Sequence, residues 1–248
     1  MKKSLKYLGW LFGLVMVIGL NSNSSAEPPW DVDDPGVTPV GVATMYVAYT
    51  LSRLGSETSE TLPAIAFTYG LDRRTELAIG TEGLRAAGSG IPTSYSFDVL
   101  SLGIKHIVAE LEEGPLLAVA YEATLPTRSS RIGTRAIDHA AYLTGHAFGN
   151  EARLTWNLGI NYTPATGHIT PVYGIVVDRV ITDRLLLGVQ LHGFLAPEPG
   201  EKNELAIGFG GYYQFTESLQ GQFLIGRSMT GRSDLNLYIG FSADFNTR

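Results

Sequence analysis

Across residues 153–162 the side chains alternate without a break. Leu154, Trp156, Leu158, Ile160 and Tyr162 are apolar or aromatic, while Arg153, Thr155, Asn157, Gly159 and Asn161 between them are polar or small. A helix would scatter the apolar set around its circumference, whereas a strand puts each set on its own face. Residues 234–245 repeat the pattern, setting Leu235, Leu237, Ile239, Phe241, Ala243 and Phe245 against Asp234, Asn236, Tyr238, Gly240, Ser242 and Asp244. Residues 204–215 do the same. Runs of this length exceed the five or six residues usual in strands of globular sheets.

Twelve such segments follow one another: residues 40–52, 61–70, 74–84, 94–109, 115–125, 138–149, 153–163, 168–181, 184–195, 203–215, 218–228 and 233–245. Links after the even segments are short (71–73, 110–114, 150–152, 182–183 and the neighbours of Glu217), and links after the odd ones are generally longer, including 53–60, 86–93 and 126–137. Alternating short and long links are the pattern of a membrane barrel with periplasmic turns at one rim and external loops at the other, and an even count returns both termini to the periplasm. The polar faces are rich in small and amide residues rather than the Lys and Glu of a solvated surface. This predicts that the apolar face meets lipid and the polar face lines a lumen. A secreted lipocalin-like barrel, the soluble alternative, has eight strands and leaves several segments unassigned. The fold class predicted is all-β, a single transmembrane antiparallel β-barrel of about 12 strands.

Residues 1–26 read as a cleaved secretory signal peptide: Lys2, Lys3 and Lys6, an apolar stretch over 8–20, then Ser24 and Ala26 at small-residue positions. About thirteen apolar residues are too few for the ~20 that span a bilayer as a helix. Residues 27–39 form an acidic, proline-rich lead expected to be flexible and periplasmic, and 40–248 the barrel. This places the protein in the outer membrane of a Gram-negative bacterium. Charged residues are 17% of the chain, against about 25% in an average soluble domain. The net charge is −6, the leader carries three of the five lysines, and only Lys105 and Lys202 remain beyond it. No phosphate-binding stripe exists, which excludes nucleic acid as a partner. With no cysteine, disulfides, thiolate metal sites and cysteine nucleophiles are excluded. Residues 31–36 imitate the start of a calcium loop but put Pro35 at its fifth position and Val42 where a bidentate glutamate is required. No metal or cofactor is expected.

The last segment carries Tyr238, Gly240, Ala243 and Phe245 in a polar-x-Gly-x-x-apolar-x-aromatic spacing. That spacing is close to the signal read by the outer-membrane barrel insertion machinery, ending three residues early. Residues 62–71 (Leu-Pro-Ala-Ile-Ala-Phe-Thr-Tyr-Gly-Leu), 74–80 (Arg-Thr-Glu-Leu-Ala-Ile-Gly), 100–106 (Leu-Ser-Leu-Gly-Ile-Lys-His) and 122–127 (Glu-Ala-Thr-Leu-Pro-Thr) resemble the outer-membrane proteins grouped under the MetA pathway of phenol degradation. The order and spacing hold from about 40 to 245. The family typically has a glycine after that Pro-Thr, where this chain has Arg128. The resemblance implies an outer-membrane location and a transport role without naming a substrate.

Lys105 is the most informative ionisable residue, on the polar face of the fourth segment. If it faces Ala120, Glu122 is a diagonal neighbour at about 7–8 Å, either as an ion pair that holds the barrel's shape or as a charge that orients a solute. Glu76, Arg153, Asn157, Asn161, Gln190 and His192 are the other lumen candidates, with Glu82, His146 and Asp178 behind them. A pore of twelve strands is narrow enough for side chains to fill much of it. Tyr46, Tyr49, Tyr69, Tyr95, Trp156, Tyr162, Tyr213 and Phe215 are expected in interfacial girdles. A barrel-embedded hydrolase needs a serine paired with a histidine on one face, and His139, His146, His168 and His192 have no such partner, so no enzyme is expected. The function expected is a passive channel for small molecules, aromatic or hydrophobic by the resemblance. The alternative is a structural or adhesive barrel with a filled lumen. Its partners would be outer-membrane lipid, the insertion machinery and an unidentified small solute.

Overall fold

In the computed structural model, described for residues 29–88, 91–110, 116–127, 136–148, 152–198, 200–230 and 233–246, twelve antiparallel strands close into a barrel. They are β1 (Val42–Leu54), β2 (Glu57–Gly70), β3 (Thr75–Gly88), β4 (Ile91–Glu110), β5 (Leu116–Pro126), β6 (Asp138–Phe148), β7 (Arg153–Thr163), β8 (His168–Thr182), β9 (Leu185–Phe194), β10 (Glu204–Gln214), β11 (Leu219–Ser228) and β12 (Leu235–Asn246). Each strand pairs with its sequence neighbours, and β1 closes on β12 from Val42↔Asn246 to Arg53↔Leu235. Both ends of the barrel therefore lie on one rim, the periplasmic one by the barrel rule. The region proposed as signal peptide lies outside the described residues.

The alternation read from the sequence sorts onto the two faces of this wall. Leu77, Ile79, Leu102, Val119, Leu158 and Phe241 are exposed on the outside. Only hydrocarbon can cover so continuous an apolar band without a cost in water. Thr68, Glu76, Lys105, Thr144, Asn157 and Gln190 are buried on the inside. The wall is an inverted sandwich, polar within and greasy without.

Two links expected to be long are mostly strand. The sequence presents 53–60 and 86–93 as long links, yet β1 and β2 pair as far as Leu54↔Glu57, and β3 and β4 as far as Gly88↔Ile91. These hairpins continue above the apolar band. There, with no lipid to enforce alternation, Thr58, Ser59, Glu60 and Thr61 pair without the pattern that marks a strand in sequence. The longer links at that rim are 127–137 and 195–203. Tyr46 corrects the girdle assignment: it is buried in the lumen, on the same face as Thr44 and Ala48.

Candidate functional site: a lumen filled by the N-terminal lead

The inner wall is lined by many small residues, among them Ala48, Ala64, Ala66, Ala118 and Ala120, which leave space along the axis. The lead occupies it. Residues 27–39 were expected to be a flexible periplasmic segment, but Trp30, Val32, Asp33, Asp34 and Thr38 are all at most 5% exposed. The chain turns into the barrel at the periplasmic rim, where Gly41 donates to the Gly70 carbonyl at 3.1 Å and Val40 bridges Gly70. A side chain at Gly70 would collide with the carbonyls of Thr38 and Pro39, so the entry needs a residue without one.

From there the lead is held at successive levels. The Thr38 amide and hydroxyl both donate to Glu76 Oε2, at 2.7 and 2.6 Å, and the hydroxyl lies 2.7 Å from that of Thr68. Lys105, itself 1% exposed, donates to the Asp34 carbonyl at 2.8 Å and to Asp33 Oδ1 at 3.2 Å, with Glu76 Oε1 at 3.9 Å. Arg153 grips Asp178 with two nitrogens, Nε at 3.1 Å and Nη2 at 2.8 Å, and donates a third bond to Asp34 Oδ2 at 3.0 Å. The Thr144 hydroxyl donates to the Asp33 carbonyl. Higher up, Gln190 accepts from the Asp31 amide at 2.9 Å and donates to its carboxylate, with His192 Nε2 at 3.4 Å from the same oxygen. Bonds that pair a charge with a charge inside a low-dielectric tube are the strong ones.

The apolar residues of the lead make the molecule's internal core. Trp30 and Val32 cluster with Ala48, Ala64, Val176, Leu186, Leu224 and Tyr238. Val32 lies directly against Gly174 of β8, where any Cβ would meet its methyl group. On the extracellular side of Asp31, a cavity of about 20 Å³ is lined by residues including Tyr142, Asn157, His192, Phe194 and Glu204. A buried water needs roughly 10–15 Å³, so the space is of water size.

Lys105 stands opposite Ala120, but it does not pair with Glu122. Its carboxylate partners are Asp33 and Glu76, while Glu122 accepts from Thr124 at 3.4 Å. The lead delivers a carboxylate closer than the diagonal neighbour, and the expected Lys105–Glu122 pair is replaced. Glu76, Arg153, Gln190 and His192 are brought together on the lead. Asn157 is buried at the cavity, and Asn161 accepts from the Tyr142 hydroxyl at 3.1 Å. In β12 the Tyr238 hydroxyl donates to Gln222 Oε1 at 3.0 Å inside the lumen, its ring covers Gly240, and Phe245 is exposed. Sequence reasoning missed Trp30, Asp31, Val32, Asp33, Asp34 and Thr38 as lumen residues.

No family model and no curated relative matches the chain. Among solved structures it is similar to the COG4313 outer membrane channel from Pseudomonas putida F1, with a TM-score of 0.71 at 14% identity over 89% of this chain and 100% of that one. The fold is an outer-membrane barrel. The NanC porin (TM-score 0.58, 8% identity, 80% of this chain and 98% of that one) and the KdgM porin (0.56, 8%, 81% and 99%) share it.

Proposed function

We propose that the protein is a passive outer-membrane channel whose N-terminal lead occupies the lumen as a removable filler. The observation that carries this reading is how the interior is filled. Many of the wall's inward side chains are small, and the space they leave is taken by a segment tied through side chains to Thr68, Glu76, Lys105, Thr144, Arg153 and Gln190. Removing that segment leaves a polar bore lined by these groups, which is what a hydrophilic path requires. The solute is small. The resemblance to the phenol-degradation group favours an aromatic one, and assignment to that group is part of the proposal. The barrel insertion machinery, reading Tyr238, Gly240, Ala243 and Phe245, is the proposed assembly partner.

A structural barrel with a filled lumen is the second reading, favoured by the small cavity left beside the lead. Lys105→Ala separates the two. Removing one partner of a buried charge pair costs about 3–5 kcal/mol because its mates stay buried and uncompensated. Asp33 and Glu76 would then favour the lead outside. Planar-bilayer conductance and the liposome swelling rate in a small sugar should both rise in Lys105→Ala over wild type. If both proteins are silent and impermeable, the barrel is structural.

A further inference from the structure

We infer that the bore passes uncharged, hydroxyl-bearing small molecules, aromatic or not, in preference to ions of either sign, along an amide ladder on β10–β12; this rests on the channel reading above. The two sides of the periplasmic half of the bore are chemically unlike. The lead is hydrogen-bonded to β2, β3, β4, β6, β7 and β9, through Thr68, Glu76, Lys105, Thr144, Arg153 and Gln190. Its Trp30 and Val32 belong to an apolar cluster that includes Ala48 of β1, Leu224 of β11 and Tyr238 of β12. On those three strands Asp244 is the one inward-facing charge among the described residues, and it accepts from Thr44 at the periplasmic mouth. Arg53 and Arg227 share the outward face with Leu235 and Ile207, which stand directly opposite them.

What lines that side instead is a run of amides. The Tyr238 hydroxyl donates to Gln222 Oε1 at 3.0 Å, and Gln222 Nε2 donates to Gln220 Oε1 at 2.8 Å and to the Ser242 hydroxyl at 3.2 Å. Gln220 Nε2 donates to Gln214 Oε1 at 3.3 Å, and Gln214 Nε2 to the Thr216 carbonyl at 2.6 Å, in the periplasmic turn. The ladder thus descends from the apolar cluster around Trp30 to the periplasmic mouth. An amide offers two donors and an oxygen with two lone pairs, so a passing hydroxyl exchanges with a ladder bond without loss in their number. An ion meets no opposite charge there and gives up its water uncompensated. The other side adds no net charge once the lead is out. Lys105 stands directly opposite Glu76, and Arg153 directly opposite Asp178. Arg153 Nη2 already holds Asp178 at 2.8 Å, and Glu76, at 3.9 Å, is the wall carboxylate beside Lys105. The two pairs cancel, and neither sign of ion is concentrated by them.

Gly174→Val, whose side chain would meet Val32, keeps all of these wall charges and amides, and is compared with wild type as the opened form. The probes are radiolabelled sorbitol, gluconate and N-methylglucamine, polyols of one chain length that are neutral, anionic and cationic. In proteoliposomes at neutral pH and one salt concentration, sorbitol uptake should exceed that of either charged polyol roughly tenfold, because a buried charge costs more than a hydrogen-bonded hydroxyl. Gln220→Leu should slow sorbitol roughly fivefold, the weight of about one hydrogen bond, and leave the two charged rates where they were. Gln220→Asn keeps an amide and should retain the preference. Equal rates for the three polyols, or a faster charged one, overturn the neutral assignment and leave the channel standing. So does a sorbitol rate unmoved by Gln220→Leu. No uptake of any polyol by wild type, Gly174→Val or Lys105→Ala overturns the channel reading, and the solute class with it.

Discussion

A valine at position 174 would put a methyl carbon where Val32 now lies. Gly174 faces the lumen on β8, flanked by Val172 and Val176, and a Cβ there meets Val32 before it meets Asn157 or His192. The strand tolerates a β-branched residue well, so the strain falls on the lead, at about 1–3 kcal/mol for an overpacked contact. Gly174→Val should therefore form a barrel of unchanged heat-modifiable gel mobility but show greater conductance than wild type. Unchanged conductance would mean that Val32 is not seated there. The same scale shows why the lead escaped sequence reasoning. Asp31, Asp33 and Asp34 are spaced for no regular element, and each finds its partner 71 to 159 residues away. Lys105 was legible as a lumen charge because its strand has a strict period, while its partner was assigned to Glu122 because only strand geometry could be read. The available hint was stoichiometric: an acid run just before the first strand, and few basic residues on the inward faces.

At the scale of the strand, lipid makes the fold readable. A residue on the outer face of β7 must be apolar and its neighbour need not be, so the alternation over residues 153–162 survives undiluted. Leu158 is 57% exposed to that outer side. Leu158→Arg should cost about 2–4 kcal/mol in a refolding titration if it sits near the midplane, whereas Asn161→Arg, facing the lumen toward the external rim, should cost about 1 kcal/mol or less. Equal losses would undo the facing of β7. Where the lipid ends, the code ends too. The upper parts of β2, β3 and β4 rise past the apolar band, and their pairing was hidden in what the sequence presents as loops 53–60 and 86–93.

For the whole molecule, the barrel and the lead obey different rules. The barrel is fixed by a hydrogen-bond ladder that closes on itself, which leaves no unpaired edge within the membrane. The lead is fixed by a limited set of side-chain contacts around Trp30, Val32 and three aspartates, and its departure breaks no strand pairing. The proposed opening rests on this division between a wall closed by strand pairing and a filler held without it. The absence of native cysteines allows one direct measurement. Val32→Cys with Gly174→Cys removes the methyl that crowds position 174 and sets two thiols at the short Cβ separation a disulfide needs, about 3.5–4.5 Å. This pair should cross-link on oxidation, hold the bilayer conductance at its closed level while oxidised, and release it on reduction. A pair that does not form, or a conductance indifferent to its reduction, would contradict the claim that the lead closes the channel from within.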